Sequence, residues 1–168
     1  MSIEDSVKST EANKGTRAIN MVIDYTVLML LLFVLLFGIV FIIAIINPDY
    51  ATAILGFVEN TGDMADYIFG IPVAFLYYMI FETLTSRSIG KYITGTKVVM
   101  EDGSKPTKTA VFYRTVSRCI PFETLTFLLS ARGWHDSISK TYVVNAKEFE
   151  SKRKFNEEFH EIGIEKQN

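Results

Sequence analysis

Residues 25–46 read YTVLMLLLFVLLFGIVFIIAII and contain no charged side chain. As a helix rising 1.5 Å per residue, this stretch would extend about 33 Å, which is enough for a hydrocarbon core about 30 Å thick. Ala51-Thr52-Ala53 resembles a signal-peptidase cleavage site. The apolar region of a signal peptide, however, covers only about 7–15 residues. We therefore predict a permanent transmembrane helix here.

A second apolar stretch follows after a polar connection. Residues 67–81, YIFGIPVAFLYYMIF, are uncharged, and Glu82 comes directly after them. Pro72 falls within the first turns of a helix beginning near Tyr67, where a missing backbone N–H costs little. We predict a second span over residues 64–85 that carries Glu82 at its far end.

The charges on the connecting loops predict the orientation. Residues 47–66 contain Asp and Glu but no Lys or Arg, whereas residues 83–118 carry seven basic side chains against Glu101 and Asp102. Lys14 and Arg17 flank the start of the first span. Because cytoplasmic loops are enriched in Lys and Arg, the N-terminus and the basic loop are expected in the cytoplasm, and the protein in the inner or plasma membrane.

A third apolar stretch is short. Residues 119–131, CIPFETLTFLLSA, lie between Arg118 and Arg132 and include Pro121 and Glu123. A charge at the centre of a span costs about 2.5–3.5 kcal/mol, which argues against a lipid-facing helix. A re-entrant segment entering near Ala110, breaking at Pro121 and returning at Arg132 is favoured, and it would leave the C-terminus cytoplasmic. A true third span would place the C-terminus outside.

The expected fold is therefore an all-α membrane protein, with two transmembrane helices, a third membrane-embedded re-entrant helical segment and small β-like cytoplasmic elements. Residues 97–100 and 141–144 are strand-like and candidates to pair with each other, and Asp102-Gly103 is a turn signal. We expect a cytoplasmic N-terminal tail at 1–16, a membrane domain at 17–145 and a charged cytoplasmic tail at 146–168. Phe149, Phe155, Phe159 and Ile162 in that tail suit either an interfacial helix or a frayed end.

Polar residues inside the predicted spans are the candidate site. Arg17, Asn20 and Asp24 lie at i, i+3 and i+7 on one helical face, so this stripe should face protein or water rather than lipid. Intramembrane charges of this kind mark either ion pathways or structural ion pairs. Arg114 and Arg118 share a face at i, i+4, and either guanidinium would suit a carboxylate. The full set comprises Arg17, Asn20, Asp24, Glu82, Arg114, Arg118 and Asp136.

Other chemistries find little support in the sequence. The net charge of -2 gives no basic field for nucleic acid. Cys119 is the one cysteine, and with only His135 and His160 there is no metal-site spacing. The run from Ser88 to Lys91 lacks the glycine-rich cradle of a phosphate loop. We predict no catalytic residues, no metal site, no cofactor, no nucleic-acid partner and no enzymatic activity.

The order of several short motifs resembles the RDD family of largely bacterial membrane proteins. Arg17-Ala18 precedes Asp24 at the first span, and Glu82 closes the second. Ser88-Ile89-Gly90-Lys91 then leads to Gly95, Lys97-Val98-Val99 and Asp102-Gly103, and Gly133-Trp134-His135-Asp136 to Thr141, Val143 and Val144. The resemblance implies that Arg17, Asp24 and Asp136 are the arginine and two aspartates of the family name. It also implies a role in transport of unknown ligands or in monovalent cation/proton exchange.

Two functions remain open at this point. In the transport hypothesis Asp24 and Asp136 carry protons or cations, held by Arg17 and Arg118, and a homo-oligomer or partner subunits complete the pathway. In the alternative, the same charges are a structural lock in a membrane scaffold or assembly factor. The expected partners are the lipid bilayer and anionic lipid headgroups near the basic loop.

Overall fold

The computed structural model describes residues 2–62, 64–120 and 133–165, and these are mostly helical. The helices are α1 (Ile3–Ser9), α2 (Lys14–Ile46), α3 (Pro48–Thr61), α4 (Ile71–Thr85), α5 (Ile89–Ile93), α6 (Lys108–Arg118), α7 (Trp134–Ile138) and α8 (Ala146–Glu165), and the strands are β1 (Thr96–Met100) and β2 (Thr141–Asn145).

The first predicted span lies within α2, which is 33 residues long. The side chain of Asn13 caps its start by accepting a hydrogen bond from the Thr16 amide at 2.7 Å. Most of its apolar side chains are exposed: Phe33 is 66% and Ile45 72% accessible. A soluble core helix would bury such a surface, since each large apolar side chain gains about 1.5–3 kcal/mol on burial. The exposure therefore supports a helix that faces lipid.

The second predicted span comprises a π-helical turn, Asp66–Gly70, that continues into α4. Together, residues Tyr67–Thr85 are long and apolar enough to cross a membrane. Pro72 cannot donate a backbone hydrogen bond to the preceding turn, and the wider π turn before it accommodates that loss. The prediction of two candidate membrane-spanning helices is confirmed.

The connection between the spans is itself helical. Asn47 ends α2 and caps α3, its side chain accepting a hydrogen bond from the Asp49 amide at 3.0 Å. Pro48 occupies the first turn of α3, a position at which proline is favoured. The acidic loop expected from the sequence is thus largely an ordered helix that packs back against α2.

The pairing of the two strand-like runs is confirmed. β1 and β2 are antiparallel, with Val98 opposite Val143 in the register. Helices α1 and α8 pack on this sheet, and they enclose a small apolar core. The core residues are Val7, Val99, Tyr142, Val144 and Phe149. Both chain ends, expected from the sequence to be tails, therefore contain helices that contribute to one packed unit.

The third apolar stretch is described only at its start. Thr107 caps α6 by accepting a hydrogen bond from the Ala110 amide at 3.1 Å, and the helix ends at Arg118. The predicted re-entrant turn at Pro121 and the return to Arg132 lie outside the described residues.

Candidate functional site

The polar stripe of α2 is buried against the elements that follow the second span. Arg17, Asn20 and Asp24 are at most 5% exposed, although they occupy a helix that is otherwise largely exposed. The amide nitrogen of Asn20 donates to the hydroxyl of Thr96 at 3.0 Å, and its oxygen accepts from the hydroxyl of Thr94 at 2.5 Å. One face of α2 is therefore fixed to the start of β1.

Asp24 is held by three donors from the second span and α5. The Tyr77 hydroxyl and the Gly90 amide both donate to Oδ1 at 2.8 Å, and the Ser88 hydroxyl donates to Oδ2 at 2.5 Å. Within the described residues no Lys or Arg lies at salt-bridge distance from this carboxylate. The expectation that Arg17 or Arg118 would hold Asp24 therefore differs from the observed contacts.

A sharp turn brings α5 to Asp24. Ser86 ends α4 in the left-handed conformation at φ 58°, and Ser88 then caps α5. The first turn of α5 lies against α2 so closely that a Cβ on Gly90 would stand 2.5 Å from the carbonyl oxygen of Asn20. Only glycine permits this approach, because backbone atoms on the neighbouring helix cannot give way as a flexible side chain would.

Glu82 receives three cations. Lys91 Nζ contacts Oε1 at 3.0 Å, Arg118 Nη2 contacts Oε1 at 2.9 Å, and Arg114 Nε contacts Oε2 at 3.0 Å. The carboxylate is fully buried. Arg114 and Arg118 reach it together because they are one turn apart on α6, the i, i+4 relationship read from the sequence.

Asp136 is the second buried carboxylate that several positive side chains contact. It is fully buried in α7, where Arg17 donates to Oδ2 and Arg114 donates to Oδ1. Nε2 of His135 lies 3.3 Å from Oδ1. Arg114 thus bridges Glu82 and Asp136, and it also donates to the hydroxyl of Thr141 at the start of β2.

These contacts form one continuous network. Ser88 Oγ links Asp24 to Lys91, whose Nζ lies 3.3 Å away. From Lys91 the ion pairs continue through Glu82, Arg114 and Asp136 to Arg17. We call these side chains, with Asn20 and Arg118, the polar cluster. Four cations face Asp24, Glu82, Asp136 and the partly exposed Glu11, which contacts Arg17 at 3.3 Å. The described charges are therefore balanced, as burial at low dielectric requires.

Burial lowers the pKa of Lys91 and of His135, both of which lie outside the spans. Desolvation lowers the pKa of Lys91 to about 8, only partly offset by Glu82. Desolvation, and then repulsion from Arg118, holds the pKa of His135 well below its usual value. His135 is therefore neutral at physiological pH, while Lys91 changes charge only slightly above it.

A cavity of about 600 Å³ adjoins the polar cluster, between α2 and the second span. Lys91, Arg118 and His135 line it at one end, and Leu28, Leu32 and Phe75 line it further along the helices. Among the described residues, no group of three His, Cys, Asp or Glu side chains is placed to hold a metal ion.

Fold and site together define a small helical membrane protein built round a buried arginine–carboxylate cluster. The chain belongs to the RDD family, whose sequence pattern matches residues 12–140. Arg17, Asp24 and Asp136 all lie within the matched range. Comparison with curated proteins and with solved structures gives no significant match.

All seven residues proposed from the sequence meet in the polar cluster. Sequence reasoning did not assign site roles to Ser88 and Lys91, which also belong to the cluster, or to its hydrogen-bond partners Tyr77, Gly90 and Thr141. A signal was present for Ser88, Gly90, Lys91 and Thr141, since all four belong to the motifs that carry the family resemblance. Tyr77 carried no such signal, because its partners depend on helix packing.

Proposed function

We propose that this chain is a multi-pass protein of the inner or plasma membrane, with both ends in the cytoplasm. The basic loop of residues 83–118 supports this orientation. So does the contact between the two chain ends: Lys152 Nζ donates to Ser9 Oγ, and Asn156 to Ser6 Oγ, both at 2.8 Å. Ends that share one side require an even number of crossings, which favours a re-entrant third segment over a spanning one.

Cysteine labelling tests this orientation in a Cys119→Ala background. Glu59→Cys in α3 should react with an impermeant maleimide in intact cells, and Lys105→Cys only after permeabilisation. The opposite pattern would reject the proposed orientation.

We propose that the domain acts as a membrane scaffold or assembly module, and that the polar cluster is its structural lock. The observation that carries this proposal is that the buried carboxylates already accept hydrogen bonds from other groups of the protein. Asp24 accepts from three protein donors, and Glu82 and Asp136 each contact two or more cations. A monovalent cation needs free oxygen ligands, whereas these oxygens already face N–H and O–H groups. A satisfied buried network instead fixes one arrangement of the helices.

Monovalent cation/proton exchange, or movement of another solute, by an oligomer is the second candidate. Lys91 favours it, because this buried lysine lines the cavity and its pKa of about 8 lets it exchange a proton near physiological pH. In this scheme Lys91 and Glu82, rather than Asp24, would carry the proton. No catalytic step is proposed in either case.

Reconstitution into liposomes separates the two functions. The purified chain, with its oligomeric state measured by mass photometry, would be sealed with a pH-sensitive dye and exposed to Na⁺, K⁺ or Li⁺. A scaffold should show no cation-dependent proton movement, and Asp24→Asn should lower the yield of folded protein. Flux that is present in the parent protein and lost in a well-folded Lys91→Met protein would establish exchange and reject the scaffold. Glu4→Gln, which alters an exposed charge far from the polar cluster, is the matched control.

A further inference from the structure

The cavity beside the polar cluster lies between two helical stripes. On α2 its lining residues recur at helical spacing from Arg17 through Asp24 and Leu28 to Leu32, and on the second span from Tyr67 through Ala74 to Tyr78. Its volume of about 600 Å³ lies within the range of about 300–1,000 Å³ typical of small-molecule sites.

The lining changes character along the length of the cavity. Arg17 and Leu32 are fifteen residues apart on α2, which corresponds to about 22 Å along the helix axis. Cationic side chains line the end near Arg17, and Leu28, Leu32, Ile71 and Phe75 line the part deeper in the spans. The cavity is therefore amphipathic, with its polar end at the boundary expected to face the cytoplasm.

The polar end presents more positive than negative charge. Arg17, Lys91 and Arg118 line the cavity with Asp24 as the one carboxylate among its described lining residues. Glu82, which pairs with Lys91 and Arg118, is fully buried behind this wall. The cations therefore face the cavity while their carboxylate partner does not.

Arg118 is the guanidinium at this end whose hydrogen bonding bears on a ligand. Arg118 Nη1 is buried and has no hydrogen-bond partner among the described residues. The same guanidinium lies 4.1 Å above the ring of Tyr78, which keeps it at the cavity wall. A buried donor without a hydrogen-bond partner costs free energy, because it has lost its contact with water. The Arg118 side chain lines the cavity, and a guanidinium binds phosphate or carboxylate especially well.

We infer that this cavity binds one amphiphile that has an anionic headgroup and an acyl chain. Arg118 and Lys91 hold the headgroup, and the chain lies along Leu28, Leu32 and Phe75. Such a ligand matches both ends of the cavity, whereas a free inorganic ion would leave the apolar length empty. The site shares Arg118 and Lys91 with the polar cluster, but it follows from the lining of the cavity and not from either proposed function of the cluster.

Equilibrium binding to the purified full chain in a mild nonionic detergent tests this site. Phosphatidylglycerol carrying a fluorophore on its acyl chain should bind saturably, at one molecule per chain. Phosphatidylcholine, which has no net charge, should compete at least tenfold more weakly than unlabelled phosphatidylglycerol. Competition by oleate would extend the site to carboxylates, and its failure would restrict the site to phosphate esters. Equal competition by phosphatidylcholine, or displacement by inorganic phosphate alone, would overturn the inference.

Variants locate the binding within the cavity. Ala74 lines the cavity and has no polar side-chain atom, so Ala74→Phe should fill the space and weaken binding at least tenfold. Leu76→Phe adds a similar ring on the exposed side of the same helix and should bind as the parent does. Arg118→Gln should also weaken binding, and Arg118→Lys should restore part of it. Unchanged affinity in a folded Ala74→Phe protein would place the lipid elsewhere.

Discussion

The carbonyl oxygen of Asn20 lies 2.5 Å from the point at which a Cβ would stand on Gly90. Real Cβ atoms do not approach an oxygen so closely, so helix α5 can lie in this position only because residue 90 is glycine. The same approach brings the Gly90 amide to within 2.8 Å of Asp24 Oδ1. Helix packing and the hydrogen bonding of the buried carboxylate therefore depend on one position.

Gly90→Ala should destabilise the protein by about 1–3 kcal/mol, the usual cost of overpacking a close contact. Helix α5 would have to move away from α2 and lengthen the hydrogen bond to Asp24. Denaturant unfolding in mixed micelles measures the change. Gly56→Ala is the control, because nothing lies within 4 Å of its added Cβ. Equal stability of the two variants would contradict the close approach.

Tyr77→Phe should cost about 1–3 kcal/mol, because it removes one of the three hydrogen bonds to the buried Asp24 and leaves the Ile89 amide without its acceptor. The hydroxyl donates to Asp24 at 2.8 Å and accepts from the Ile89 amide at 2.9 Å. Hydrogen exchange at the Ile89 amide, compared with the parent protein, gives a local measurement. The same substitution at Tyr25, which is 61% exposed, should leave both stability and exchange unchanged.

Asp136→Asn should lower the free energy of unfolding by about 3–5 kcal/mol, since removing one member of a buried ion pair leaves its partners uncompensated. Arg17 and Arg114 both donate to this carboxylate. The yield of monodisperse protein and the melting temperature in detergent would both fall. Glu4→Gln breaks only an exposed pair with Lys8 and should behave as the parent. A parent-like melting temperature for Asp136→Asn would argue against a structural lock.

The lowered pKa of Lys91 predicts how the stability of the protein changes with pH. Burial lowers its pKa to about 8 from an ordinary value of 10.5. Between these two values the unfolded chain still binds the proton that the folded chain has released, so the free energy of unfolding rises with pH across that window. Below pH 8 Lys91 is protonated in both the folded and the unfolded chain, so it adds nothing to the change of unfolding free energy with pH.

Lys91→Met removes the titrating group and should flatten this rise. Melting temperatures of parent and variant at intervals from pH 7 to pH 10.5 give the comparison, in which other titrating groups cancel. Parallel curves would contradict a lowered pKa. Arg114 and Arg118 still contact Glu82 in the variant, so its fold should persist.

Phe149→Ala should release α8 from the sheet, at a cost of about 3–5 kcal/mol for truncating a buried aromatic side chain. Phe149 is fully buried, and Lys97 Nζ lies 4.6 Å above its ring. Limited proteolysis should then cut the C-terminal segment faster. Phe155 is 62% exposed on the same helix, so Phe155→Ala should leave the cleavage rate unchanged.

Several features of this protein could be predicted from local sequence. A span is an uninterrupted apolar run, so residues 25–46 and the second run indicate it without reference to the rest of the chain. The stripe of Arg17, Asn20 and Asp24 required a buried surface because no lipid-facing helix tolerates it. The i, i+4 spacing of Arg114 and Arg118 likewise predicted that they act together.

The partners in the polar cluster could not be predicted in this way. A carboxylate accepts from any donor within reach, and the sequence suggested an arginine for Asp24. The observed donors come from Tyr77, Ser88 and Gly90, which depend on how α5 lies across α2. The arginines instead contact Glu82 in α4 and Asp136 in α7.

The sequence by itself determined the class of this protein, its family, its apolar helices and the residues of its site, because these follow from composition, short motifs and helical periodicity. The tertiary structure alone decided which donor meets which carboxylate, that α1 and α8 share a core with the sheet, and that a cavity with a cationic end lies between the spans. Each of these depends on contacts between residues distant in the chain, and their geometry is set by packing that no local pattern encodes.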